Sequence, residues 1–506
     1  MVSEKQAKSQ VRGQQLPDVF REYMRTGWAP REAQSPERAQ VADHAARRRD
    51  EVSRQFPGER LVIPAGGLKV RSNDTDYVFR PHSAFAHLTG FGSDREPDAV
   101  LVLEPRDGGG HDAVVYFRPL AGRDSDNFFA DGRYGEFWVG PRATLGDVEA
   151  EFGISARHLD EFADAVAKDA GEIGVRVVRD ADAEVTATVD QVRATEGEAQ
   201  DATETRTEAD EELARFLSTL RMVKDEYEIE QLRQAVAATG HGFEAVISEL
   251  AEAVRRGRGE RWAEGVFGLY ARHEGNGVGY DSICASGDHA NTLHWTRNTG
   301  DLREEDLLLI DAGVELDSLY TADITRTLPV SGKFSEAQRR VYDAVYAAQQ
   351  AGIEAVKPGN KFSDVHAAAM KVIAEHIAEW DMLPDGVDLE LTLDAEKGQF
   401  HRRWMVHGTS HHLGIDVHDC ALALREDYMD ADLEPGMVLT VEPGLYFKAD
   451  DELVPQELRG IGVRIEDDVL VTEDGHDVLS GHLPRTADDV EAWIERVQAR
   501  VQAAKG

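Results

Sequence analysis

Apolar and polar positions along the chain fall into two periods, and each period predicts elements. Short β-rich runs from Arg60 to Pro64, Ala99 to Leu103 and Ala113 to Phe117 end in turn or proline residues and predict strands. Ser35 followed by Pro36 has the chemistry of a helix start, so the charged segment behind it predicts a helix. Helical spacing resumes near Leu145, and the first region reads as a mixed α/β domain.

From about Asp180 to Glu212 the chain turns to Glu, Asp, Thr and Ala, with few large apolar residues to bury. That composition predicts an inter-domain insertion or linker. Beyond it, Leu217 to Val236 has helical periodicity and opens a second domain, which alternates helices such as Glu336 to Ala355 with strongly β-like runs. After Thr486, Val490, Trp493, Ile494, Val497 and Val501 fall on one helical face, the pattern of a helix packed onto the body. The expected organisation is a flexible arm over 1–34, an N-terminal domain over 35–215 ending in the acidic linker, a second domain over 216–485, and a C-terminal helix over 486–506.

Composition narrows the class. A chain of 506 residues is too long for one core, and its 41% hydrophobic share permits more than one. No stretch approaches the roughly 18 consecutive apolar residues of a membrane helix, and Met1 to Pro17 is polar without the apolar core of a signal peptide. A soluble, cytoplasmic protein with no membrane role is expected. Cys284 and Cys420 form no disulfide framework and no metal-binding pair, which fits a reducing compartment. The formal net charge of −39, from 95 acids against 56 bases, repels phosphate backbones and argues against a nucleic-acid partner.

No repeat, phosphate-binding loop, serine-hydrolase elbow or H-E-x-x-H zinc helix is present. Three β-like runs instead deliver acids next to glycine or proline: LLLIDAGVE with Asp311, MVLTVEPGLY with Glu442, and GVRIEDDVLV with Glu466. A carboxylate at the end of an apolar strand is costly to desolvate unless a cation or strong donors meet it. Taken singly, each also reads as a turn-capping acid, and Asp323 in TADITRT as a surface or hairpin residue. Between these runs lies an unusual density of histidine: His407, His411, His412 and His418. Asp311, Asp323, His411, Glu442 and Glu466 together make four carboxylates and one imidazole, too much oxygen for a mononuclear zinc peptidase. Two divalent ions fit better, with a readily ionised bridging water between them. The oxygen-rich set suits manganese, although cobalt, iron or zinc could occupy it.

These motifs, together with RSNDTDYVFR…HLTGF between Arg71 and Phe91, LHWT from Leu293, HGTSHHLGIDVHD from His407 and RGIGVRIEDDVLVTEDG from Arg459, resemble the pita-bread metallopeptidases, and most closely the Xaa-Pro aminopeptidase (aminopeptidase P) family. The resemblance runs from about residue 60 to 480. It implies an α+β protein, a mixed α/β N-terminal domain followed by a C-terminal pita-bread (creatinase/aminopeptidase-like) catalytic domain. It also implies a dinuclear-metal aminopeptidase that hydrolyses the bond between an N-terminal residue and a following proline through a metal-bridging hydroxide. In that reading Asp323 and Glu466 bridge both metals, Asp311 holds one, and His411 with Glu442 holds the other.

His294, His407 and His418 match family histidines of the substrate site, and Arg464, two residues before Glu466, shares its face on a strand. The resemblance further implies that Glu442 shuttles the proton to the leaving proline nitrogen and that a metal and His418 stabilise the oxyanion. Asp76, Trp138 and Arg221 match positions associated with the substrate pocket or with a neighbouring subunit's contribution to it, and a homo-oligomer, dimer or tetramer, is implied. Twelve positions separate Asp311 from Asp323, one more than the resemblance leads one to expect, which predicts a lengthened hairpin tip around Leu316 to Tyr320. The rival readings are a prolidase restricted to Xaa-Pro dipeptides, a methionine aminopeptidase, and a non-catalytic peptide-binding module of the same fold.

Overall fold

The computed structural model describes residues 16–30, 35–194 and 200–505, without the side chains of 200–205 and 505. Contacts divide the chain into two units that meet in sequence at Leu217 and Ser218.

In the first unit, β1 (Arg60–Pro64), β2 (Val100–Pro105), β3 (His111–Phe117), β4 (Ser155–His158) and β5 (Val175–Val177) form one sheet in the order β4-β3-β2-β1-β5. β1 pairs antiparallel with β2, Leu61 opposite Leu103, and parallel with β5. It is buried along its whole length, which its unbroken apolar run Leu61 to Pro64 anticipates. The one charge on it, Arg60, is neutralised by Glu104 through Nε at 2.6 Å and Nη2 at 2.7 Å.

Two expectations for this unit need correction, and a third lies largely outside the described residues. Helix α1 spans Val41–Gln55 rather than starting at Pro36. The amide of Ala39 donates to the carbonyl of Glu151 at 2.9 Å, so the backbone before residue 40 is committed elsewhere. Of the arm expected over 1–34, residues 1–15 and 31–34 lie outside the described residues, and the described part carries a short helix, Asp18–Met24. The acidic stretch is not a bare linker, because it holds α2 (Ala183–Ala194) and α3 (Gln200–Thr219). Val185 and Val189 of α2 join Val62, Val100, Val102 and Val177 in the core. Buried Asp210 of α3 meets Arg193 at 2.7 Å and Arg179 at 2.9 Å, so part of the acidity is internally paired.

In the second unit the helix expected from Leu217 to Val236 is interrupted. α3 ends at Thr219, and α4 (Glu226–Arg256) starts anew behind a reciprocal cap. The Asp225 side chain accepts from the amide of Glu228 at 3.1 Å, and Glu228 accepts from the amide of Asp225 at 3.0 Å. α4 packs on α5 (Gly259–Glu274) and α6 (Glu336–Ala355) on α7 (Phe362–Glu379). α8 (Ala487–Lys505) buries Val490, Trp493, Ile494 and Val497 and packs on α4.

Two small sheets carry the chemistry. β6 (Ile283–Ser286), β7 (Leu307–Ala312) and β8 (Ile324–Pro329) form an antiparallel sheet in the order β8-β7-β6. Between β7 and β8, Leu316 donates to Tyr320 at 3.0 Å and Leu319 to Leu316 at 2.8 Å, forming a hairpin tip over 316–320 in which Leu319 takes φ +73°. β9 (Val438–Val441) pairs with β12 (Asp467–Thr472), and the short strands β10 (Gly444–Tyr446) and β11 (Gly462–Arg464) pair beside them.

Candidate metal centre and active site

Each acid sits where an apolar strand begins or ends. Asp311 lies near the end of β7, opposite Thr325 of β8. Asp323 immediately precedes β8, Glu442 lies between β9 and β10, and Glu466 between β11 and β12. Backbone pairing brings them into one place. The amide of Glu466 donates to the carbonyl of Thr325 at 3.1 Å, and the Thr325 hydroxyl donates to Oε2 of Glu466 at 2.6 Å. The loop before β9 runs alongside it, with Thr440 donating to the carbonyl of His411 at 2.9 Å and Glu442 to that of Thr409 at 2.8 Å.

Asp323, His411 and Glu466 present one ligand atom each within 4.8 Å of one another, as a metal ion requires. Asp311 joins them through Tyr280, whose hydroxyl contacts Asp311 at 2.7 Å and Asp323 at 2.5 Å. Glu442 lies 3.9 Å from His411, which is itself 3.3 Å from Asp323. The electrostatics of this set are unbalanced. Burial, with the neighbouring charges of Asp323, Glu442 and Asp311, pushes Glu466 well above the carboxylate range. Burial likewise raises Glu442 to about 8 and raises Asp311 despite the opposing charge of Arg464. Burial opposes charge on His411, yet the hydrogen bond and charge of Asp323 outweigh it and lift the imidazole to about 9. Ionising three buried carboxylates and the partly buried Glu442 together takes more positive charge than Arg464 and His411 supply, so this donor set fits divalent cations.

A second chain of polar groups leads outward from Asp311. Arg464 donates to it at 2.5 Å and to the Tyr446 hydroxyl at 3.1 Å, and that hydroxyl lies 2.7 Å from Nε2 of His407. Because Nδ1 of His407 is 2.6 Å from the carbonyl of Gly408, the network places the ring hydrogen on Nδ1, and Tyr446 donates to Nε2. Burial, aided by the charge of Arg464, drives the His407 pKa down to about 3, so this ring stays neutral. His418 stands edge to face with His411 at 4.4 Å between ring centroids. His294 is exposed and lies near enough to His407 and His418 to act on both electrostatically.

The remaining site residues are placed differently. Arg221 is buried and bonded to Asp419 at 2.8 Å, with Asp416 at 3.6 Å, beneath the loop that carries His418. Asp76, on the strand Thr75–Asp76, and exposed Trp138, whose indole donates to the carbonyl of Phe129 at 2.7 Å, lie in the first unit. Sequence reasoning missed Tyr280, Thr325, Tyr446 and His366. Tyr446 closes the quoted run MVLTVEPGLY and was within reach. Tyr280 has no periodic or motif signal of its own. The ring of His366, on α7, lies 3.3 Å from the hydroxyl of Thr409 and accepts from its amide at 3.3 Å.

Residues 44–175 match the aminopeptidase P N-terminal domain and residues 230–473 the metallopeptidase family M24. The chain is 51% identical over 480 residues to Xaa-Pro aminopeptidase 1 of Streptomyces coelicolor, covering 95% of this chain and 92% of the relative. The chain belongs to the aminopeptidase P family. It is accordingly a hydrolase, a metallo-exopeptidase built on the pita-bread fold, and the family implies divalent metal ions. Xaa-Pro aminopeptidase of Escherichia coli is 33% identical over 470 residues, 90% of this chain and 98% of that one. Among solved aminopeptidase P structures, PepP of Pseudomonas aeruginosa superposes with a TM-score of 0.77 at 28% identity, covering 91% of this chain and 99% of that one. The Escherichia coli enzyme with the inhibitor Pro-Leu does so with a TM-score of 0.77 at 29% identity, covering 91% and 100%. Among the described residues no helix is long and apolar enough to cross a membrane.

Proposed function

We propose that this enzyme removes the N-terminal residue from peptides with proline at position two, using two divalent ions held by Asp311, Asp323, His411, Glu442 and Glu466. The observation that carries the reading is the meeting of four acids beside strand ends with His411 of the loop before β9, with more negative charge than the protein neutralises. Asp323 and Glu466 would be placed to serve both ions, Asp311 one, and His411 with Glu442 the other. Manganese is the working metal in this reading, in keeping with one imidazole among oxygens. When bound, the ions would acidify a water so that it can act as nucleophile and would polarise the scissile carbonyl.

The chain's own groups do the rest. His418 and His294 donate to the carbonyl oxygen as it gains charge. Glu442 carries a proton from the attacking water to the prolyl nitrogen, so the C–N bond breaks with a neutral amine leaving. A proline nitrogen has no hydrogen and its ring restricts the backbone, so a dedicated pocket is needed. Neutral His407 offers an uncharged ring face to that prolyl ring. Asp311, fixed by Arg464 and Tyr280, faces the free α-amine.

The deciding assay compares an Xaa-Pro dipeptide, an Xaa-Pro-Xaa tripeptide and a longer peptide with added manganese, identifying products. Cleavage of the tripeptide and the longer peptide after residue one supports this function. Cleavage of the dipeptide alone makes the protein a prolidase, and a protein that stays inactive and metal-free makes it a binding module. Exposed Phe137, Trp138 and Val139 in the first unit support a homo-oligomer, dimer or tetramer, to which Trp138 contributes. Sedimentation of wild type against Trp138→Asp tests this. Buried free Cys284 and Cys420 are in keeping with a cytoplasmic location.

A further inference from the structure

Glu260 lies in the first turn of α5, outside the metal centre, and its residue is completely buried. Four groups surround its carboxylate, and all are donors or can donate. Oε1 accepts from the amide of Ser286 at 2.8 Å and lies 2.7 Å from Nδ1 of His289. Oε2 accepts from the indole of Trp295 at 2.8 Å and from the amide of Gly300 at 2.5 Å. One oxygen therefore holds the start of the segment 286–300 and the other its end. The segment is tightened further where His289 and Trp295 stack with ring centroids 4.0 Å apart. Buried Asn298, in left-handed backbone at φ +45°, accepts from the amide of Cys284 at 2.9 Å and donates to the carbonyl of Ser282 at 2.9 Å. His294 lies on this segment, immediately before Trp295.

We infer that Glu260 is a positioning residue for the reaction, clamping the 286–300 segment so that His294 is presented to the substrate. This rests on the substrate-site reading of His294 given above. The chemistry is specific to a carboxylate. Glutamine has nearly the same shape, but its amide nitrogen would face at least one donor whichever way the amide is turned, the Ser286 amide on one side or the Trp295 indole and Gly300 amide on the other, and would break that part of the clamp. A displacement of about 1 Å at a group that positions substrate costs on the order of 10²-fold in rate.

The test is a double-mutant cycle of Glu260→Gln and His294→Ala on an Xaa-Pro-Xaa tripeptide, with metal content and hydrogen exchange of peptides spanning 286–300 measured in parallel. Glu260→Gln is expected to lower kcat/KM about 10²-fold with metal content unchanged and exchange over 286–300 raised, while costing less than about 3-fold once His294 is already alanine. Equal losses in both backgrounds, or wild-type kinetics from Glu260→Gln, would overturn the proposal. Raised exchange with an unimpaired His294→Ala enzyme would retain the clamp but remove His294 from the substrate site, and the positioning role with it. An inactive wild type would instead count against the proposed peptidase function. Should Glu260→Gln fail to fold, Trp295→Phe removes one donor while keeping the stacked ring, and a smaller loss with the same dependence on His294 is expected.

Discussion

Arg464 and Asp311, far apart in sequence, meet through a 2.5 Å bond from Nη2 to Oδ2, and the same guanidinium reaches the Tyr446 hydroxyl at 3.1 Å and the Thr325 hydroxyl at 3.2 Å. Three nitrogens of one planar fork thus hold a carboxylate of the centre, the tyrosine that fixes His407, and the threonine bonded to Glu466. A lysine ammonium is a point donor and cannot span these directions. Arg464→Lys is expected to retain the fold but lose about 10- to 100-fold in metal affinity or kcat/KM, as outer partners of metal ligands typically do. Metal titration and steady-state kinetics check it, and wild-type values for both would refute the role.

Glu442→Ala and His411→Ala remove two of the five ligands in the proposed function. Both sites lie against the strand β9, and neither side chain fills the apolar core, so unfolding curves should stay close to wild type. Loss of the proton carrier alone is worth at least about 10²-fold in turnover. Near wild-type rates on an Xaa-Pro-Xaa peptide from both variants would sink the ligand assignment.

How far the chain could be read beforehand differs from element to element. β1 was predicted with its bounds because an unbroken apolar run closed by Pro64 leaves little choice. α6 starts at Glu336 as expected, where Ser335 and Gln338 cap one another reciprocally. The same kind of cap at Asp225 and Glu228 was equally visible, and reading through it merged two helices into one. The segment 180–212 misled for a physical reason, since composition records how many acids there are and not that Asp210 is buried against Arg193. In the site, the four acids were legible by type beside strand-like runs, and His411 by the density of histidine around it. Tyr280 and Glu260 were not, because each acts through partners 26 or more positions away. Such partners are set by the meeting of elements, and no local pattern encodes them.

Asp419 offers a stability test away from the ligands. It is buried between Arg221 at 2.8 Å and Lys224 at 3.3 Å. Burial works against its charge, but the two cations prevail and hold its pKa at about 2, below the ordinary 3.8. A depressed carboxylate pKa contributes stability that is present above the unfolded value and lost as pH falls through the folded one, here between about 4 and 2. Asp419→Asn leaves two buried cations with too little compensation and should cost about 3–5 kcal/mol at neutral pH. In urea unfolding the gap between variant and wild type should be full at pH 7 and shrink below pH 4. A gap that does not narrow in acid would refute the assignment.

Gly313 tests whether the β7–β8 hairpin sets the spacing of Asp311 and Asp323. A Cβ at this glycine would stand 1.7 Å from the carbonyl oxygen of Ala322, a backbone atom that cannot rotate away. The amide of Ala322 reaches back to the carbonyl of Val314 at 3.4 Å, and Gly279 donates to the carbonyl of Gly313 at 2.9 Å, so strands on two sides confine the residue. Gly313→Ala must therefore push the arms of the hairpin apart just where Asp311 and Asp323 face one another across Tyr280. Overpacking of this kind costs about 1–3 kcal/mol or more. The displaced carboxylates should also weaken metal binding, because the ligand atoms lose their mutual distances. Thermal unfolding with and without manganese separates the two effects: a lowered midpoint that manganese raises less than it raises wild type is expected. A variant whose loss of stability is fully restored by the metal would show that the hairpin tolerates the methyl group without moving the two aspartates.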